Sequence, residues 1–240
     1  MKRYSTRGRA GNNRDGEAGR RAEVLRKTRE TEVRLAIDLD RPGPPQVSTG
    51  IGFFDHMLSA LSTHGRFGLR VDATGDLHVD QHHLVEDVGI ALGSALREAL
   101  GEDLRIRRFA HAYAPLDDAL ARAVVDVSGR GYLHYHADIR RARVGGFDVD
   151  LAAEFFSALA SNARINLHLS VLHGRNAHHQ LEALFKALAL ALRDALARDP
   201  ALTEVPSTKG ALSERAARRR QALPGGGPAP PVRKARRRRR

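Results

Sequence analysis

Cysteine is absent from all 240 residues. That excludes disulfides and thiolate metal sites, so any bound metal must sit on His, Asp or Glu. The absence also fits a reducing compartment. No segment approaches the roughly 20 consecutive apolar residues that a membrane helix needs. The opening MKRYSTRGRAGNNRDGEAGRRAE has no apolar stretch behind its charges, as a secretory signal would. The expectation is a cytoplasmic protein without membrane attachment. The length suits one large domain or two small packed ones.

Acidic residues are outnumbered, 28 against 40 Lys and Arg, for a net charge of +12. The excess is confined to the ends. Residues 1–20 carry +4 and residues 211–240 carry +10, which leaves −2 on 21–210. The ending LPGGGPAPPVRKARRRRR is too poor in apolar residues to form a core. It can act as a weak polyanion-binding arm, for RNA as one example, or be only a solvated extension. No aromatic residue is interleaved to stack on bases, which favours the solvated extension. The predicted organisation is a basic disordered extension over 1–21, a first half-domain over 22–105, a second over 106–212, and a disordered tail over 213–240.

What the chain does have is histidine. All twelve lie between His56 and His179. Two stretches repeat His-His-x-x-Glu 96 residues apart: His82-His83-Leu84-Val85-Glu86 and His178-His179-Gln180-Leu181-Glu182. Each opens a helical pattern, VEDVGIALGSALREALG and LEALFKALALALRDALARD. Similar elements in similar order on both sides point to a duplicated half-domain. Val33, Leu35, Ile37 and Leu39 alternate with Glu32, Arg34, Ala36 and Asp38, which predicts a half-buried strand over 31–39. Pro42-Gly43-Pro44-Pro45 forces a turn. A helix is predicted over 53–62, a strand over 68–73 and a short strand over 77–79. The second half gives strands near 107–114, 119–127 and 132–138, a helix near 148–162, a strand at 164–171 and a final helix at 178–198. Grouped strands with two helices per half predict an α+β fold of two small sheets, each covered by a helix pair.

On a helix, His82 and Glu86 are i, i+4 and His83 and Glu86 are i, i+3, so each pair shares a face. Adjacent histidines point about 100° apart, so each can serve a different ion. Two motifs offer four imidazoles and two carboxylates, an all-N/O set suited to six-coordinate Mn²⁺ or Fe²⁺ more than to zinc. The competing reading of either motif alone is surface histidine beside a helix cap, with Asp80 or Asn176 capping. Two matched copies favour the metal reading. The motif lacks the second histidine of a His-Glu-x-x-His protease helix.

At these residues the chain resembles the imidazoleglycerol-phosphate dehydratase family. The resemblance runs through Arg29-Glu30-Thr31-Glu32, Gly52-Phe53-Phe54-Asp55-His56-Met57-Leu58, His64-Gly65, Gly75-Asp76-Leu77 and Asp80 to Asp87. It continues through Arg108-Phe109, Pro115 to Ala119, Asp126-Val127-Ser128-Gly129-Arg130, Glu154-Phe155-Phe156, Leu167-His168-Leu169, His178 to Lys186 and Pro206-Ser207-Thr208-Lys209-Gly210. It covers about residues 22–212. It implies a duplicated fold like domain 2 of ribosomal protein S5, two Mn²⁺ per active site between subunits, and 24 subunits built from trimers. The implied ligands are His56, His82, His83, Glu86, His178, His179 and Glu182. Glu154 stands where many relatives have a histidine ligand, and His168 is a nearby substitute whose other reading is a core strand residue. Glu30, Arg108, Arg130, Ser207, Thr208 and Lys209 are the implied substrate contacts. Arg108, Arg130 and Lys209 make chemical sense as a phosphate clamp.

The implied reaction dehydrates imidazole glycerol phosphate to imidazole acetol phosphate in histidine biosynthesis. No carbonyl activates the C–H bond, so the ring must. Metal ions held by the histidines and carboxylates would supply Lewis acidity to that ring and so help it expel the hydroxyl. Carboxylates among Glu30, Glu86 and Glu182 handle the protons, with Glu182 and Glu30 foremost. Two other readings compete. A phosphoester hydrolase would use similar metals and clamp but release free phosphate. A nucleic-acid binder would act through the tails with steep salt dependence. No fused phosphatase domain is expected within these 240 residues.

Overall fold

The structure, a computed structural model, describes residues 19–101 and 105–202, together with the backbone of a short strand near the N-terminus. Its first half contains β2 (Arg21–Lys27), β3 (Thr31–Asp38), β4 (Gln46–Ser48), α1 (Gly52–Gly65), β5 (Gly68–Gly75) and α2 (His82–Leu100), preceded by the short β1 (Arg3–Thr6). The second half contains β6 (Phe109–Leu116), β7 (Ala119–Asp126), β8 (Tyr132–His136), a two-stranded insertion of β9 (Arg143–Val144) and β10 (Phe147–Asp148), α3 (Leu151–Ala163), β11 (Asn166–His173) and α4 (Ala177–Ala195).

The two halves are the same fold twice. One sheet runs β2-β3-β5-β4, with β1 added at its edge, and the other runs β6-β7-β11-β8. In both, the last pair is parallel and the others antiparallel. α1 and α3 each end on an arginine in the left-handed region, Arg66 at φ 55° and Arg164 at φ 57°. Each arginine is followed by a buried apolar residue, Phe67 or Ile165, that leads into the next strand. The fold class is therefore the α+β duplication that the repeated motif predicted.

The helices lie between the sheets, where both sheets can bury their apolar faces. α2 packs on β2 and β3, α4 packs on β6 and β7, and the halves meet through α2 against α3 and α1 against α4. α2 and α3 come close because Gly89 and Gly93 carry no Cβ. A Cβ on Gly93 would stand 2.7 Å from the Leu159 carbonyl oxygen. Phe54, Phe155, Phe156 and Phe185 fill the centre, with rings 4.8–5.6 Å apart.

Several expectations need correction. Strand β2 was not foreseen, because Leu25 faces outward and Arg26 inward, which breaks the apolar alternation. Arg20 binds Asp40 through both backbone and side chain and donates to the Leu196 carbonyl. Further toward the N-terminus, Arg3–Thr6 pairs with β2. Residues 77–79 are a turn, not a strand: the Asp76 carbonyl accepts from Val79 N–H at 2.7 Å, and Val79 is 65% exposed. The tail 213–240 and Ser207, Thr208 and Lys209 lie outside the described residues.

Candidate metal centre and its surroundings

Each His-His-x-x-Glu stretch opens a helix that follows the last strand of its half. Asn176 starts α4 by accepting from His178 N–H at 2.9 Å. Asp80 accepts from the N–H groups of Gln81 and His82 ahead of α2. Within each motif the neighbouring rings are nearly perpendicular, 84° for His82 and His83 and 80° for His178 and His179. They therefore face different partners, as the helical angle requires.

His178 turns toward α1. Its Nε2 lies 3.0 Å from Glu182 Oε2, and His56 Nε2 lies 3.2 Å from the same oxygen. Phe53, one turn before His56, packs edge-on against the His178 ring at 5.2 Å and fixes its tilt. Donor atoms of His56, His178 and Glu182 all fall within 4.8 Å of one another, a spacing that could hold one cation. Two imidazoles and a carboxylate suit a borderline or hard divalent ion. The residues present fit the metal that the sequence implied.

Lys186, one turn beyond Glu182, donates to Glu182 Oε1 at 2.7 Å. Burial pushes the Glu182 carboxyl up, but hydrogen bonds from Lys186, His56 and His178 outweigh it and hold the group at about 2. Glu182 is thus an anion across the physiological range. Lys186 was not among the sequence-predicted site residues. Its i, i+4 spacing to Glu182 was the signal that could have found it.

His179 and His83 take separate carboxylates. His179 Nδ1 donates to Asp118 at 2.6 Å, and Asp118 also accepts from Arg175 and Asn176 N–H. Those bonds hold the Asp118 carboxyl well below its usual range, the His179 bond most of all. His83 Nδ1 donates to Asp76 at 3.1 Å, which raises its proton affinity despite some burial, with Glu30 adding to the rise. A carboxylate behind each imidazole fixes which ring nitrogen remains for a ligand. Asp76 and Asp118 lie in stretches that carried the family resemblance but were given no role there.

His82 and Glu86 are half-buried at the start of α2. Among the described residues no hydrogen bond or ion pair joins this first cluster to the second. A linking path runs from Gln81 to the Gly146 carbonyl at 3.0 Å, and from Phe147 to Phe53. Glu154 is exposed on α3 and belongs to no three-residue cluster among the described residues. His168 is not the core strand residue that was its alternative reading. It is exposed on the outer face of β11, its ring 5.4 Å from His134.

The two expected clamp arginines stand at the far end of the second half. Arg108 Nε donates to Asp126 Oδ1 at 2.8 Å, and its guanidinium lies 4.5 Å from the Phe109 ring centre. Its carbonyl accepts from Val127 N–H, which ties it to the 127–130 loop carrying the exposed Arg130. Arg108 N–H donates to the carbonyl of Ala195, at the last turn of α4. His178 is at the first turn of the same helix. Seventeen helical steps put them about 25 Å apart. The histidine cluster and Arg108 thus sit at opposite ends of α4.

If the His56–His178–Glu182 cluster holds a cation, acidification should release it through its imidazoles, since metal and proton compete for Nε2. Glu182 keeps its charge down to about 2 and so does not limit binding. Calorimetric titration with Mn²⁺ should lose affinity on acidification while Glu182 is still ionised. Affinity that fails only where Glu182 itself protonates would contradict this.

A family model described as imidazoleglycerol-phosphate dehydratase matches residues 49–192. The chain is 52% identical over 193 residues to the imidazoleglycerol-phosphate dehydratase of Lacticaseibacillus casei (strain BL23), covering 80% of this chain and 100% of that protein. It is 54% identical over 194 residues to that of Azorhizobium caulinodans, covering 80% and 98%. The crystal structure of the dehydratase from Staphylococcus aureus subsp. aureus N315 superposes with a TM-score of 0.69 at 37% identity, over 75% of this chain and 99% of that one. The Pyrococcus furiosus structure in complex with (S)-C348 gives 0.67 at 39%, over 78% and 99%.

Proposed function

Given that the chain belongs to the imidazoleglycerol-phosphate dehydratase family, the hydro-lyases of that step in histidine biosynthesis, we propose that it works with two Mn²⁺ ions per active site. In this reading the site joins the histidine clusters of one subunit to Arg108 and Arg130 of another. The observation that carries it is the length of α4, about 25 Å from His178 to Ala195, whose carbonyl accepts from Arg108 N–H. A 24-subunit shell built from trimers would supply such neighbours, and the clamp would hold the substrate phosphate in bidentate fashion.

His56, His178 and Glu182 would hold one ion; His82, His83, Glu86 and His179 would complete the ligand set, with Glu154 as a further oxygen donor. Bound there, the metal supplies Lewis acidity to the nitrogens of the substrate imidazole. The chain's own part is to aim the ring and move protons. Glu182, held at about 2, is a weak base and serves as a ligand. Glu30 stands on the exposed turn between β2 and β3, close enough to raise the proton affinity of His83. Its carboxylate takes the carbon-bound proton. The hydroxyl leaves with a proton as water, and the enol that remains tautomerises to the ketone.

The protein should be stripped of metal and assayed on imidazole glycerol phosphate with and without Mn²⁺. Activity should return with the ion, and the product should be imidazole acetol phosphate. Turnover by metal-free protein, or release of free phosphate, would overturn the reading. Shared sites make a second prediction. Arg108→Ala and His178→Ala should each be nearly inactive, and co-assembly of the two should restore a sizeable fraction of activity in sites that draw one intact half from each. Mixed assemblies as inactive as their parents would place each site within one chain.

A further inference from the structure

Asp87, the residue after Glu86, is buried on α2 where the helix faces β2 and β3. Its Oδ1 lies 2.6 Å from Arg26 Nη2, and its Oδ2 accepts from the Thr31 hydroxyl. Arg26, Thr31 and Asp87 are 6%, 5% and 6% exposed. A buried ion pair rarely stabilises a fold more than well-packed apolar residues would. The duplication supplies that comparison within one molecule. The corresponding positions of the second half are Ala114, Ala119 and Ala183, all buried, in the same sheet order and with the same helix packing. The architecture therefore stands without the charges, and their use in the first half calls for another reason.

The hydrogen bonds lead from Asp87 to the turn that carries Glu30. Thr31 Oγ1 lies 3.1 Å from Thr28 Oγ1. Thr28 Oγ1 accepts from the N–H groups of Glu30 and Thr31 at 3.1 and 3.0 Å. The Glu30 carbonyl accepts from Asp76 N–H at 3.1 Å, and the Asp76 carboxylate accepts from His83. The backbone of the turn is thus fixed from behind by α2 and from the side by the residue that orients His83. In the second half the equivalent turn places Asp118 directly on His179 and needs no such backing. Among the described residues the Glu30 carboxylate accepts no hydrogen bond. Only its backbone is held, which leaves the acid group available while its origin stays fixed.

We propose that Arg26, Thr31 and Asp87 are positioning residues that hold the Glu30 turn in register with His83 and the first metal-ligating cluster. The proposal rests on the reading of Glu30 as the proton-transfer group. A misplacement of about 1 Å in such a group can cost on the order of a hundredfold in rate.

Thr31→Val removes the hydroxyl and keeps the shape, so it tests the link with little risk to folding. Expected are faster amide hydrogen exchange at Glu30 and Asp76, unchanged exchange in the core of α2, unchanged metal content, and kcat lower by about tenfold or more with KM changed far less. Thr31→Ser should restore both exchange and kcat. Arg26→Met with Asp87→Leu, an apolar pair after the manner of the second half, should fold and show the same kinetic split. Unchanged exchange at Glu30 and Asp76 in folded Thr31→Val would overturn the proposal. So would wild-type kcat in that variant alongside a slow Glu30→Gln. A Glu30→Gln enzyme with full activity would instead mean that the reading of Glu30 has failed, and the exchange rates would then judge the triad alone.

Discussion

Glu182→Gln should bind metal far more weakly and lose at least about a hundredfold in turnover, beyond what disturbing an outer partner of a metal ligand costs. The amide keeps the size of the side chain and removes its charge. Oε2 then no longer offers an anion to His56 and His178 at 3.2 and 3.0 Å. Lys186, whose side chain is 20% exposed, would face a neutral group in place of its carboxylate at 2.7 Å. Because Glu182 is already ionised to about 2, its contribution does not depend on pH near neutrality, and raising the pH should not rescue the variant. Metal analysis after dialysis and steady-state kinetics check this together. Normal metal content with turnover within a few-fold of the parent would remove Glu182 from the site.

Glu30→Gln should behave differently, and the contrast is the informative part. Turnover should fall by about a hundredfold to ten-thousandfold, the usual worth of a positioned acid or base. Metal content should be unchanged, because Glu30 sits on the β2–β3 turn and joins no metal-binding cluster among the described residues. KM should move little if the phosphate clamp is made by Arg108 and Arg130. The proton affinity of His83 should fall slightly, since Glu30 adds to its rise, and an NMR titration of that imidazole would read it. Parallel loss of metal and activity would make Glu30 structural and would reassign the proton to another group.

The proposed phosphate clamp uses residues whose placement was only partly legible. Arg108 and Arg130 were identified by family resemblance, and nothing in local spacing says that Asp126 holds Arg108 at 2.8 Å. Asp76 and Asp118 likewise lay in the stretches that carried the family resemblance, with no role attached. Their role behind His83 and His179 depends on contacts across 7 and 61 positions. Strand β2 escaped notice because its buried Arg26 and outward Leu25 reverse the expected pattern. That reversal exists only because Asp87 waits on α2 to receive the charge.

The amino-acid order alone determined what is local and periodic. Helical and alternating patterns come from 3.6- and 2-residue repeats, the perpendicular histidine rings from a rotation of about 100° per residue, and the duplication from a motif written twice. Folding in three dimensions decided which of those side chains meet. His56 reaches Glu182 across 126 positions, while Arg108 and His178 are kept at opposite ends of one helix. The physical reason is that backbone geometry repeats within a few residues, whereas a contact between distant residues depends on how both sheets bury their apolar faces against one shared layer of helices.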